Sequence, residues 1–127
     1  MKKVKLEDLV KRVEALEKNS GQPKEQKWIK IGDLEWLDED LGEMTWEEGM
    51  KKCKELGGRL PTRVELIDLF DNHYEEMKKM LGSSAGNYFW SATTVSNTTY
   101  YGWDVTLGNG STNGSSKTTA NTIRCVH

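Results

Sequence analysis

At 127 residues with a formal net charge of -2, the chain suits one compact domain plus an appendage and has no electrostatic basis for binding nucleic acid. No apolar run approaches the length of a membrane span, which excludes membrane insertion through a helix. The opening Met1-Lys2-Lys3-Val4-Lys5 leads into a charged segment rather than an apolar leader, so the expectation is a protein made in the cytoplasm without a signal peptide, cytoplasmic or virion-associated.

Leu6, Leu9, Val13 and Leu16 recur at alternating steps of three and four, the seam of a coiled coil. Residues 1–20 are therefore expected to be an N-terminal amphipathic helix, with Glu7–Lys11, Asp8–Arg12 and Glu14–Lys18 as supporting i,i+4 pairs. Two heptads are marginal alone, so the stripe packs against the body or, as a homo-oligomer through residues 4–18, against copies of itself. Asn19-Ser20-Gly21-Gln22-Pro23 ends the helix, and 21–26 serve as a linker to a domain over 27–127.

Within that domain, Lys27-Trp28-Ile29-Lys30-Ile31 predicts a strand, Gly32-Asp33 a turn, and Leu34-Glu35-Trp36-Leu37 its hairpin partner. Asp38, Glu39 and Asp40 lack the spacing, central Gly and closing Glu of a calcium loop, and no metal is expected there. Thr45-Trp46-Glu47-Glu48 is a capping box that opens a helix with Trp46, Met50, Cys53 and Leu56 on one face, stopped by Gly57-Gly58. A second box, Thr62-Arg63-Val64-Glu65, opens another helix with the stripe Leu66, Ile67, Phe70, Tyr74, Met77 and Leu81. Asn72 with Glu75 could restart it partway, leaving one piece or two.

After Gly82 the period turns strand-like and charge all but disappears: from Gly82 to Thr122 there are seven Ser and nine Thr, interrupted only by Asp104 and Lys117 among charged residues. That composition alone would read as linker. Against it, Phe89, Trp90, Trp103, Val105, Leu107, Ile123 and Val126 recur at spacings that nail the stretch to a core. Phe89–Thr93 and Tyr101–Leu107 are strand candidates, the latter with Trp103, Val105 and Leu107 inward and Asp104 and Thr106 outward. Asn109-Gly110 and Asn113-Gly114 read as turns, and Thr122–Val126 as a closing strand. The order of strands, two helices, then strands is an α+β layout.

Cys53 and Cys125 are too far apart for a zinc knuckle, and only His73 and His127 could complete a metal site. They form either one disulfide, in a protein that ends up outside the cell, or two buried thiols. His73 has no Ser or Cys placed beside it by sequence, so it reads as a surface or helix-end histidine and no catalytic residue is assigned.

Met44-Thr45-Trp46-Glu47-Glu48, Gly58-Arg59-Leu60-Pro61-Thr62-Arg63, Phe89-Trp90-Ser91-Ala92-Thr93 and Ile123-Arg124-Cys125-Val126 together resemble a family of bacterial and phage domains with the C-type lectin fold. Within it, the chain looks most like the variable proteins of diversity-generating retroelements. The resemblance implies two helices plus a small, mostly antiparallel, twisted sheet with long loops. It also implies a non-enzymatic display protein, whose surface is rewritten by a reverse transcriptase that errs at template adenines and binds a protein or cell-surface ligand. Gly102-Trp103-Asp104 is the nearest approach to a lectin calcium motif, and one carboxylate cannot supply the oxygens calcium takes. The cysteines, which in related oxidases are reactive, sit at framework positions. No cofactor is expected.

The ligand-binding face is expected to comprise Thr98, Tyr100, Tyr101, Asp104, Thr106, Ser111, Asn113, Ser115, Ser116 and Thr119. Tyrosine presents a large amphipathic area with few torsions to freeze, and Ser, Thr and Asn add short donors and acceptors. The alternative function is a fixed-sequence structural or adhesion module of a phage or bacterial surface, oligomerised by the N-terminal helix.

Overall fold

The computed structural model describes residues 26–127. The expected N-terminal helix, most of the linker and self-association through 4–18 lie outside those residues.

Strands β1 (Trp28–Ile31) and β2 (Leu34–Leu37) form an antiparallel hairpin, with Ile31 paired to Leu34. The two-residue turn puts Gly32 at φ 65°, the left-handed region that glycine enters without a Cβ clash. A side chain there would also strike the His73 ring, 2.8 Å from an added Cβ.

After the short β3 (Glu43–Met44) come helices α1 (Trp46–Glu55), α2 (Arg63–Asn72) and α3 (Tyr74–Leu81). Both expected capping boxes are present. Thr45 Oγ1 accepts from the Glu48 N–H at 3.3 Å while Glu48 Oε1 accepts from the Thr45 N–H at 3.0 Å. The corresponding distances for Thr62 and Glu65 are 3.1 and 2.8 Å. Arg59 grips the same Glu65 through both terminal nitrogens, at 2.8 and 2.9 Å. That pairing draws the Glu65 carboxyl below its usual range and raises Arg59.

Two helical expectations change. Met50 is 37% exposed, and the buried face of α1 is made by Gly49 and Cys53 instead. Gly49 is where the fully buried Ile123 presses on the helix, leaving no room for a larger residue. The second helix is broken at His73, whose φ of -137° is not helical, so the domain has three helices rather than two. Asn72 spends its amide on Asp68 rather than on capping α3.

A five-stranded sheet follows the order β3-β7-β4-β5-β6, from β4 (Tyr88–Thr94), β5 (Tyr101–Thr106), β6 (Ser111–Ser116) and β7 (Asn121–Thr122). Its pairs are antiparallel except for one parallel bridge, Phe89 to Thr122. Asn109-Gly110 lies in the β5–β6 turn as expected, but Asn113-Gly114 lies inside β6, because its small polar residues find full register against β5. One apolar cluster packs Leu66, Leu69, Met77 and Leu81 of α2 and α3 against Phe89, Val105 and Leu107. A second gathers Cys53, Leu60, Trp90, Ile123 and Cys125 on the α1 side.

The closing segment is strand only at Asn121–Thr122 and at a bridge from Val126 to Trp36 and Arg59. It instead stitches the hairpin to the body: the Leu37 N–H donates to the Cys125 carbonyl, and Glu35 and His127 exchange main-chain bonds, all at 2.9 Å. Cys53 and Cys125 are joined as a disulfide across 72 residues. Arg124 is buried there and donates to the Leu37 carbonyl at 3.0 Å. Burial lowers its pKa, opposed by the field of Asp40, Asp38 and Glu39. The acidic run is thus counter-charge for a buried guanidinium.

Candidate functional site

Register along β4–β6 sorts the expected residues by sheet face. Tyr88, Thr106 and Ser111 form one cross-strand row, and Trp90, Asp104 and Asn113 the next. Gly102 with Ser115 completes that face, since residues two apart share it. Tyr101 and Ser116, one step out of phase with Ser115, belong to the opposite face, at the end of the hairpin beyond α2.

The loop from β4 to β5 is pinned at its base by the Val95 N–H on the Tyr101 carbonyl and the Lys117 N–H on the Tyr100 carbonyl, both 2.9 Å. Its own turn is held by Asn97 at φ 77°, a conformation asparagine tolerates, and by Thr98 Oγ1, which accepts from the Tyr100 N–H at 3.0 Å. Tyr100 then projects with 76% of its surface exposed. Thr119 is exposed in the following turn, where its carbonyl accepts from the Trp90 indole at 3.2 Å.

The ten residues therefore lie along the β5–β6 hairpin and its flanking loops, on both faces, rather than in one patch. Thr98, Tyr100, Tyr101, Ser116 and Thr119 gather at one end of the β5–β6 hairpin. Thr106 and Ser111 sit at the other end, about 17 Å away at roughly 3.4 Å per residue.

One expectation is overturned. Asp104 does not face outward: it has 0% of its surface exposed. The cause is cover from a segment distant in sequence, with Asn121 donating to its Oδ2 at 3.3 Å and the Ser115 hydroxyl donating to the same atom. Burial raises its pKa, and the bonds from Ser115, Asn113 and Asn121 oppose the rise. Ser115 is correspondingly half-buried, its hydroxyl committed to the carboxylate.

Trp103, expected inward, is half-buried with the Arg63 guanidinium 4.5 Å from its ring centroid. Tyr88, 51% exposed, joins Thr106 and Ser111 and was not among the expected residues. The buried Phe89 beside it was the available signal, since its neighbour must point the other way. Lys117 was also missed. Its Nζ lies 3.7 Å above the Trp46 ring and 3.1 Å from Thr94 Oγ1.

Away from these residues, an open cavity of about 600 Å³ lies between the β1–β2 turn and α2, with Trp36, Val64, Asp68 and His73 among its walls. His73 Nε2 is 3.6 Å from Asp68 Oδ2, so the histidine is a helix-end residue, as expected, within a cleft. Among the described residues, no three His, Cys, Asp or Glu side chains group in a way that could hold a metal ion, and no helix is long and apolar enough to cross a membrane.

A family model described as the Lcl C-terminal domain matches residues 30–127. It supports the resemblance carried by the four motifs, to a C-type-lectin-like domain of retroelement variable proteins, and the α+β architecture is compatible with that fold. No curated protein matches the chain.

Proposed function

The chain belongs to the Lcl C-terminal domain family, and from that premise we propose that it is a non-enzymatic ligand-binding protein whose Ser/Thr/Asn/Tyr-rich surface is diversified by a retroelement reverse transcriptase. The observation that best supports this reading is the division of roles between adjacent residues. Phe89, Trp90, Val105 and Leu107 are buried, while Tyr88, Tyr100, Tyr101, Ser111 and Asn113 are exposed on the same strands and loops. Exposed positions of this kind exchange at little cost in stability, so contacts can change while the frame persists. The partner is a protein or cell-surface ligand met by tyrosine area and short hydroxyl and amide groups.

Two measurements test it. The gene should lie near a reverse transcriptase and a near-repeat of its own 3′ end; without either, a fixed-sequence adhesion module becomes the better description. Replacing Tyr88, Tyr100 and Ser111 together by Ala should weaken binding to a protein selected against the parent by at least about tenfold. Each change should alter unfolding free energy by only about 0.5 kcal/mol. A collapse of stability would make these residues structural.

A further inference from the structure

β6 is the outermost strand of its sheet and is hydrogen-bonded to β5 along one side. Antiparallel pairing makes alternate residues turn their main-chain groups toward the partner strand or away from it. The Trp103 carbonyl accepts from the Ser91 hydroxyl, and the Tyr101 carbonyl from the Val95 N–H. Both residues therefore turn toward β4. Their partners across the pair, Gly114 and Ser116, face away from β5, and by the same alternation so does Thr112, opposite Val105. The N–H and C=O of Thr112 and Gly114, with the N–H of Ser116, thus point out of an open edge, and among the described residues nothing bonds to them. The Ser116 carbonyl is taken by the Thr119 N–H at 2.9 Å.

Natural sheets protect exposed edges with charge, proline, bulges or very short strands. The opposite edge, β3, is two residues long and carries the exposed Glu43. β6 runs six residues, Ser-Thr-Asn-Gly-Ser-Ser, with no charge and no proline. Lys117, the next residue after the strand, is spent on Thr94 and the Trp46 ring.

We propose that this edge binds an extended segment of a partner polypeptide, which adds to the sheet as a further strand. The inference rests on the ligand-binding reading above and names the chemistry of the ligand. Main-chain bonds to Thr112, Gly114 and Ser116 supply an attachment that survives side-chain exchange. Ser111 and the exposed Asn113 beside them supply selectivity. A second copy pairing through its own β6 brings only Ser, Thr, Asn and Gly to the seam, with no large apolar side chain to bury at its centre. A partner segment brings larger side chains, within reach of Tyr101, which stands two strand spacings, about 10 Å, from the added strand.

The probe is a random linear dodecapeptide library displayed on phage and selected against the full chain, the recovered peptides then being N-methylated one residue at a time. Affinity should fall at least about tenfold at every second residue and hold at those between, since only alternate N–H groups would face β6. Thr112→Pro, which removes an outward N–H and no β5 bond, should abolish binding in protein that keeps its circular dichroism spectrum. If that variant unfolds, the N-methyl pattern on the parent decides alone. Recovery of no linear peptide, sensitivity without alternation, or a folded Thr112→Pro that binds as before overturns the proposal. So does a dimer in sedimentation that Thr112→Pro dissolves, which would assign the edge to a second copy. Ligands lost with Tyr88→Ala or Tyr100→Ala but indifferent to Thr112→Pro would sink the edge and leave the surface reading standing. Absence of any binder among natural variants would sink both.

Discussion

Asp104 shows what one side chain does beneath this surface. Its carboxylate has no exposed area and receives bonds from Ser115 and Asn121 on one oxygen. Burial without a cation favours the protonated acid, so the folded protein holds its proton at a pH where the unfolded chain has released it. The group therefore contributes most to stability at low pH, and that contribution declines as pH rises from the unfolded pKa through the raised folded one. Asp104→Asn keeps an acceptor for Ser115 and removes the titration. In urea unfolding, the variant should gain on the parent as pH rises above about 4, the unfolded carboxyl range. A difference that is flat with pH would mean the carboxyl is not displaced. Glu65 has the opposite sign: held below its usual range by Arg59, it adds stability at neutral pH that is lost on acidification.

Among the elements, the junction after α1 is the least forgiving. Gly58 lies where an added Cβ would come 2.6 Å from the Val126 carbonyl oxygen and 2.9 Å from the Trp28 ring. That carbonyl cannot swing aside, because it accepts from the Arg59 N–H at 2.8 Å. Gly58→Ala should accordingly cost about 1–3 kcal/mol, read from the urea midpoint, although the change is a single methyl group. A neutral effect would show that the closing segment can shift. The stripe of Leu6, Leu9, Val13 and Leu16 gives a separate prediction, that it drives self-association. Sedimentation of the chain begun at Lys27 should then report a smaller assembly than the full chain, and an unchanged one would remove the stripe as the cause.

At the scale of the whole molecule, the closing segment ties three parts together: to the β1–β2 hairpin through main-chain bonds, to Arg59 through Val126, and to α1 through the Cys53–Cys125 disulfide. Cross-linking residues 72 apart lowers the entropy of the unfolded chain by an amount worth about 4 kcal/mol. Replacing both cysteines by Ser should lower unfolding free energy by about that much, and a loss below about 1 kcal/mol would show that the stitching alone suffices. Much of this architecture was legible in the chain itself. The two capping boxes, the Gly32-Asp33 turn and the burial of Trp90, Val105 and Leu107 depend on chemistry within a few residues, where hydroxyl, carboxylate, glycine or alternation suffices. The interior of Asp104, the strand at Asn113-Gly114, the break at His73 and the bond between the cysteines were decided only in three dimensions. Each depends on groups far apart in sequence, such as Asn121 over Asp104 or β5 alongside β6, and cross-strand register is a property of the pair rather than of either strand. The chain alone thus determined which stretches carry the apolar frame and which carry the small polar residues and tyrosines between its positions. The tertiary structure decided which of them stand together, and on which face.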